Sequence, residues 1–445
     1  MKEYDVIVIG AGPAGGGVAA PLAEAGKRVV MFEHNGVGGV CPLRGCNPKK
    51  ALMSAPEAVH MARHLYGKGA AGHLYADWPQ MARFKDGFTD PIPEKAKSHY
   101  ESLGIEVVQS NASFTGPQTV EADGETYTAP HICICTGQVP RELDLPGQGL
   151  LQTSDDFLNL QELPRNIAFI GGGFISMEFA HIAARCGSNV TIFVRSERAL
   201  REFDADLVDE LVQTSREMGI DIRFNNPVNA IEQRKQALTV ITDGPEPEVA
   251  VDAVFNCAGR VPAVDGLRLD LAEVRHEKGG IAVDKQMRSV TNPRIFAIGD
   301  VADTPFGLTP TASLESAVAA SVILGDETAE TNHDGIPATC FTLPPISRVG
   351  LLESEARERG LDFTVKETDL ADAFSWKRLG ETVGRSRILL DEKNGVVLGG
   401  HVLGHNSEEI ANTLALIVRH RIPLEKVRDT PWVYPTNGYQ LKYMI

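Results

Sequence analysis

An α/β chain with two nested Rossmann-like dinucleotide-binding domains and a C-terminal α+β domain is predicted by three observations. Tyr4 to Ile9 forms an apolar run that leads into a glycine-rich turn and then a helical pattern. Asn166 to Ile170 does the same, and repetition of a whole strand-turn-helix unit marks paired domains. After about residue 331 the pattern changes to short strands around one apolar helix, Ser407 to Arg419. A length of 445 residues allows two or three domains. The expected segment boundaries are 1–150, 151–265, 266–330 and 331–445.

The first unit explains itself residue by residue. Tyr4 to Ile9 reads as a buried parallel strand, Gly10-Ala11-Gly12-Pro13-Ala14-Gly15 as its turn, and Gly17 to Glu24 as a helix whose first amides face a pyrophosphate. Pro13 suits a first helical turn, where its missing N–H costs little. Val29 to Phe32 is the next strand, and Glu33 ends it where a carboxylate can accept hydrogen bonds from ribose hydroxyls. The segment from Val37 to Lys50 follows. Four residues separate Cys41 from Cys46, so a helical path would set the sulfurs about one turn apart, close enough to bridge and to store two electrons.

Residues 51–100 read as mainly helical and say little about chemistry. Val107 to Ser113 and Thr119 to Ala122 look like sheet. His131 to Cys135 is an apolar strand ending in Thr136-Gly137, a turn that can bring backbone amides to a cofactor. Cys133 and Cys135 alternate onto one face, and without a thiol or histidine cluster nearby they read as core residues rather than metal ligands. No metal-ligand set is expected in the chain.

In the second unit the strand Asn166 to Ile170 feeds Gly171-Gly172-Gly173-Phe174-Ile175-Ser176, a helix from Met177 to Cys186 and a strand from Asn189 to Val194. An NAD-selective unit would carry an acid at the end of that last strand. Here Val194 is followed by Arg195, with Arg198 and Arg201 close behind, and guanidinium groups can pair with a ribose phosphate. NADPH is therefore the expected nucleotide. Val251 to Phe255 and the turn through Gly259 close the unit. The chain returns through Ile281 to Asp284 and reaches Asp300, which follows a buried strand and Gly299 and can orient a ribityl hydroxyl or phosphate edge of a flavin. A helix from about Thr311 to Leu324 is poor in charge, and its N-terminus can direct partial positive charge at that flavin.

Charge and composition exclude several classes. The formal charge of -16, from 59 acidic against 43 basic side chains, disfavours nucleic acid and anionic membrane as partners. No long uncharged apolar stretch could span a bilayer, and the opening residues lead directly into a strand. Seven scattered cysteines do not make a secreted disulfide scaffold. A soluble cytoplasmic enzyme is expected.

With these residues in place, the chain resembles the pyridine nucleotide-disulfide oxidoreductases, the flavoprotein family of glutathione reductase, dihydrolipoamide dehydrogenase and mercuric reductase. The resemblance rests on the segment from Gly38 to Lys49, both glycine-rich units, Ala297-Ile298-Gly299-Asp300 and the C-terminal domain, in the family's order. It implies an FAD domain, an inserted NAD(P) domain, a return to the FAD domain and a C-terminal dimerisation domain that makes a homodimer. FAD would be held by Gly10, Gly12, Pro13, Ala14, Gly15, Glu33, Gly39, Thr136, Gly137, Gly299 and Asp300. NADPH would meet Gly171, Gly173, Phe174, Ile175, Arg195, Arg201 and Gly259, with Phe174 as the aromatic gate. Cys46 would be the flavin-facing charge-transfer thiol and Cys41 the interchange thiol, while Lys49 and Glu178 match the family's ion pair beside the flavin.

The resemblance implies an FAD-dependent NAD(P)H oxidoreductase that passes electrons through flavin to a Cys41–Cys46 redox disulfide and on to a small-molecule or protein thiol/disulfide acceptor. The tail departs from the pattern. Tyr434-Pro435-Thr436-Asn437-Gly438-Tyr439 stands where glutathione and dihydrolipoamide members carry His-Pro-Thr-x-x-Glu, which puts Tyr434 and Tyr439 at the acid-base positions. An unperturbed phenol titrates near pH 10, so small dialkyl disulfides are expected to turn over poorly. Ala20 and Ala317 stand where glutathione-contacting arginines are expected, and the terminal vicinal cysteines of mercuric reductase are absent from Leu441 to Ile445. A quinone or metal-ion reductase, or a lipoamide-type dehydrogenase with a protein-bound acceptor, are the alternatives.

Overall fold

A computed structural model describes residues 1–235 and 237–445. The chain divides into two compact units. The first comprises Met1–Lys49, Phe84–Arg141 and Arg260–His333; the second comprises Lys50–Arg83, Glu142–Gly259 and Asp334–Ile445.

The first unit is built on a five-stranded parallel sheet in the spatial order Ile295–Ala297, His131–Ile134, Val6–Ile9, Val29–Phe32, Glu106–Val108. Its central strands are buried along their whole length, as a sheet covered on both faces requires of unbroken Val/Ile runs. The strand expected from Tyr4 begins two residues later. Lys2–Glu3 pairs instead with Glu125–Thr128 in a separate four-stranded sheet, and the Asp5 carboxylate accepts the Arg28 N–H at 2.7 Å. Helices Pro13–Glu24 and Thr309–Ile323 lie together: a Cβ on Gly17 would meet Ser316 Oγ at 2.4 Å. Only glycine allows that approach.

Among the described residues the second unit contains three sheets. Asp221–Arg223, Asn189–Phe193, Asn166–Ile170 and Ala253–Asn256 form a four-stranded parallel sheet. Val228–Arg234, Ala237–Thr242 and Glu248–Val251 form an antiparallel meander. The expected strand from Val251 to Phe255 is thus two strands, broken at Asp252, whose carboxylate accepts the Asn166 backbone N–H at 2.8 Å. The third sheet is antiparallel, in the order Ala338–Cys340, Ile346–Gly350, Val396–Gly404, Gly384–Asp391, Thr364–Asp369. Helix Ser407–Arg419 buries Ile410, Ala411, Leu414 and Ile417 against it, which is the i, i+3/i+4, i+7 stripe of an amphipathic helix. Among the described residues, no helix is long and apolar enough to cross a membrane.

Candidate redox and nucleotide sites

In the first unit Gly10, Gly15 and Gly39 leave no room for a Cβ. Gly39 has φ +73°, and a Cβ there would lie 2.5 Å from the Gly12 Cα. Gly10 has φ +107°, with a Cβ 2.3 Å from the Cys135 carbonyl oxygen, and Gly299 at φ +76° packs on Ala14. Three separate stretches of chain therefore converge on the N-terminus of helix Pro13–Glu24. That terminus has Pro13 in its first turn and no side-chain cap from Gly12, so its first N–H groups are open to an anion. This cradle fits the pyrophosphate of a dinucleotide.

Glu33 is buried at the end of its strand, and both carboxylate oxygens are engaged: Oε2 accepts the Ala11 N–H at 2.9 Å and Oε1 the Asn35 N–H at 2.7 Å. These bonds fix the carboxylate beside the glycine turn, with lone pairs left for hydroxyl donors. Gly137 takes φ +70°, and the Thr136 hydroxyl donates to the Ala263 carbonyl at 2.7 Å. Burial raises the Asp300 carboxyl above its ordinary value, opposed by the Arg260 guanidinium.

Cys41 lies in the short helix Val40–Arg44, and Cys46 opens the helix Cys46–His64. Both are free thiols in this structure. The two titrate as one unit. The Cys46 thiol donates toward Cys41 and, against the cost of burial, holds Cys41 down to about 6, while Cys46 is pushed up by sharing that proton. Thr309, the first residue of helix Thr309–Ile323, approaches Cys46 with its hydroxyl 3.9 Å from Sγ, and it favours the thiolate form of both sulfurs. Thr309 was not singled out from sequence, although a Thr-Pro pair at a helix start is a recognisable signal. Lys49 is buried.

The second unit carries the other glycine-rich turn. Gly171 has φ +119°, with a Cβ 2.3 Å from the Cys257 carbonyl oxygen, and a Cβ on Gly172 would strike Val194 at 2.8 Å. Helix Phe174–Arg185 starts at Gly173 without a side-chain cap, and the Ser176 hydroxyl closes the turn by donating to the Gly171 carbonyl at 2.7 Å. Ile175 sits in the first turn, and Gly259 takes φ +112° at the edge of the unit. Phe174 is 47% exposed, an aromatic ring held out from the helix start. Arg195 and Arg201 are exposed, and neither has a hydrogen-bond or ion-pair partner among the described residues. Arg198 faces Asp209 at 3.9 Å. Glu178 is buried, and its Oε1 accepts the Phe341 N–H at 2.8 Å.

The tail residues form an aromatic group. Tyr434 and Tyr439 meet edge to face with centroids 4.9 Å apart. The Lys442 ammonium bonds the Tyr439 hydroxyl at 2.5 Å and sits 4.8 Å from the Tyr443 ring, and its hydrogen bond lowers the Tyr439 phenol from the ordinary value.

Comparison with known proteins decides the family. Residues 4–321 match the model of the pyridine nucleotide-disulphide oxidoreductases, and residues 336–444 match that family's dimerisation domain. The chain belongs to the pyridine nucleotide-disulphide oxidoreductase family. It is 33% identical over 450 residues to a glutathione reductase of Burkholderia cepacia, covering 98% of this chain and 96% of that one. It is 30% identical over 447 residues to a dihydrolipoyl dehydrogenase of Halobacterium salinarum, covering 97% and 93%. Among solved structures, the Cu(II) complex of the HOCl-induced flavoprotein disulfide reductase RclA from Escherichia coli superposes with a TM-score of 0.90 at 27% identity, covering 100% and 99% of the two chains. The oxidoreductase is thus a flavin enzyme of a family whose members use FAD and a pyridine nucleotide, and the glycine cradles of its two units fit those groups.

Proposed function

We propose that this oxidoreductase prefers NADPH and passes two electrons through flavin to the Cys41–Cys46 pair, which delivers them to a thiol/disulfide acceptor. FAD, when bound, supplies the two-electron exchange between nicotinamide and sulfur. The chain's residues do the rest. The helix N-terminus after Gly12 receives the FAD pyrophosphate, with Glu33 on the ribose and Asp300 on the ribityl side. The turn at Gly171–Gly173 receives the second dinucleotide. Arg195 and Arg201 take its ribose phosphate, and Phe174 covers the nicotinamide position until that ring enters.

The observation that carries this reading is the pair of free thiols Cys41 and Cys46, with the Thr309 hydroxyl 3.9 Å from Cys46 Sγ. Reduction of the Cys41–Cys46 bond takes two electrons and one proton and yields one thiolate and one thiol near neutrality. Cys41, the sulfur held down to about 6, attacks an acceptor disulfide and releases its first thiol; Cys46 then displaces Cys41's new partner and restores the internal bond. An anaerobic titration with NADPH, with thiols counted by a chromogenic disulfide, tests it. Two new thiols per chain are expected in the wild type. Full reduction of the flavin with none released, while acceptor turnover continues, would overturn the relay.

A second reading is favoured by the Cu(II) complex of the RclA relative. The reduced pair, one thiolate and one thiol, gives one disulfide, two Cu(I) and one proton for every two Cu(II) consumed, and it needs no proton donor for a leaving thiolate. That requirement is the one a tyrosine tail meets least well. Two Cu(I) trapped per NADPH by a Cu(I)-selective chelator, lost in Cys41→Ser, would assign this acceptor.

A further inference from the structure

His60 and His64 stand one turn apart on helix Cys46–His64, and Glu381 faces both from the loop after the short helix Phe374–Lys377. The Glu381 side chain is 2% exposed. Its carboxylate contacts only imidazole nitrogens: Oε1 lies 3.3 Å from His60 Nε2, and Oε2 lies 3.4 Å from His64 Nδ1. Among the described residues no N–H, hydroxyl or ammonium donates to it otherwise. The Nδ1 atom of His64 is itself buried and makes no hydrogen bond.

A buried carboxylate without a cation in contact is costly, and a cation between these three groups would compensate it. The distances say which cation. Charge-assisted N–H···O bonds run about 2.7–2.9 Å, shorter than either separation here. A tetrahedral ion with bonds of about 2.0–2.1 Å needs donor atoms about 3.3–3.4 Å apart; each imidazole nitrogen lies at that spacing from the carboxylate oxygen it faces, and one donor atom from each of the three groups lies within 4.8 Å of the others.

We propose that His60 Nε2, His64 Nδ1 and the Glu381 carboxylate form a binding site for one borderline transition-metal dication of the zinc class, with a fourth position open to water. Two neutral imidazoles and one carboxylate are the donor set such ions take. The fold builds the site deliberately. Gly380 has φ +73°, and a Cβ there would lie 2.5 Å from the His64 carbonyl oxygen, so glycine is what lets the loop press Glu381 against the end of the helix. The Glu381 N–H bonds back to the Trp376 carbonyl at 3.3 Å, and Trp376 is fully buried. His64, 26% exposed, is the side from which an ion and its water would enter.

One neighbour sets the strength of binding. Arg185 is buried behind His60, with Nη2 3.3 Å from His60 Nδ1, while it also donates to the Leu343 carbonyl at 3.0 Å. In the empty site this donor places the His60 proton on Nε2, facing Glu381; a neutral ring that binds an ion through Nε2 carries its proton on Nδ1 instead, so binding gives up the Arg185–His60 bond while Arg185 keeps the Leu343 carbonyl. The Arg185 charge, with Lys68 near Gly380 and Arg63 near Arg185, opposes a dication. Binding is therefore expected at micromolar rather than nanomolar metal.

The test uses the FAD-loaded enzyme after chelator dialysis, titrated with Co2+ and read in the visible d–d bands beyond the flavin absorption. A Zn2+ calorimetric titration runs in parallel. One equivalent per chain is expected, abolished in His64→Gln and in Glu381→Gln and retained in Cys41→Ser. Flavin spectra and melting temperatures establish that the variants are folded, and the wild-type titration stands alone if they are not. Absence of a saturable site in the wild type would overturn the proposal. So would a site that survives in Glu381→Gln or disappears with Cys41→Ser, because the thiols would then be the ligands.

Discussion

At the residue scale the chemistry turns on one shared proton. The thiolate, not the thiol, attacks electrophiles, so alkylation of the reduced enzyme should rise with pH through a midpoint near the value of about 6 to which Cys41 is held. The rate should level off above it, where an unassisted thiol would still be climbing. Thr309→Val removes the hydroxyl that approaches Cys46 and favours the charged form of both sulfurs. With a hydrogen bond worth about 1 kcal/mol, alkylation below the midpoint should slow about fivefold, the midpoint should move up, and the plateau should stay. A profile unmoved by Thr309→Val would assign the low value to the Cys41–Cys46 contact alone. The tail obeys the same logic. Lys442→Met should raise the Tyr439 phenol, seen as a shift of tyrosinate absorbance to higher pH, because the ammonium on its hydroxyl is the largest influence lowering it.

At the element scale, the strand ending at Phe193 hands its successor residues to the nucleotide. Arg195 and Arg201 are exposed and unpaired among the described residues, so they carry no structural duty that would confuse a substitution. Arg195→Ala with Arg201→Ala should lower kcat/KM for NADPH about 100-fold, from two charge-assisted bonds of about 1.5 kcal/mol each, and leave NADH within a few-fold. Equal loss with both nucleotides would reject the phosphate role. Gly39→Ala should fail differently: its Cβ would strike the Gly12 backbone, so reduced FAD retention on gel filtration is expected before any kinetic effect. The elements that position these residues were legible because their signals are local. Unbroken Val/Ile runs, turns that forbid a Cβ and the arginines after Val194 are all written within a few positions of one another. What was not legible is long-range. The helix Cys46–His64 hides its start behind Pro48 and carries Pro56 inside, so its start and its continuity could not be read, although His60 and His64 fall at helical spacing inside the stretch expected to be helical. Glu381 reaches that pair from more than 300 positions away, and Arg185 is buried beside it. No spacing rule connects such residues. The break at Asp252 likewise depends on a partner, Asn166, from another strand.

At the scale of the whole molecule, the acidic surface and the dimerisation domain bear on how the catalytic residues are assembled. Tyr434 is 64% exposed, and its ring meets Tyr439 of its own tail edge to face, so a proton-transfer role needs a surface supplied from elsewhere. If the tail of one subunit serves Cys41 of the other, the two defects Cys41→Ser and Tyr434→Phe/Tyr439→Phe should complement when co-expressed as a tagged heterodimer. One site would then hold an intact thiol pair and an intact tail, and the other neither. Half of the wild-type activity with the best acceptor is expected from purified heterodimers, against near-zero from each parent homodimer. Should each subunit use its own tail, both sites of the heterodimer would be defective and no activity would return. A double-tyrosine homodimer that keeps full activity would remove the tail from the reaction altogether. That outcome would favour the metal-ion acceptor, because Cu(II) reduction releases a proton from the reduced pair and asks for no donor. Tyr434→His in the same series separates the acceptors further: it should raise turnover of small disulfides, where a protonated leaving thiol is needed, and leave Cu(II) reduction unchanged.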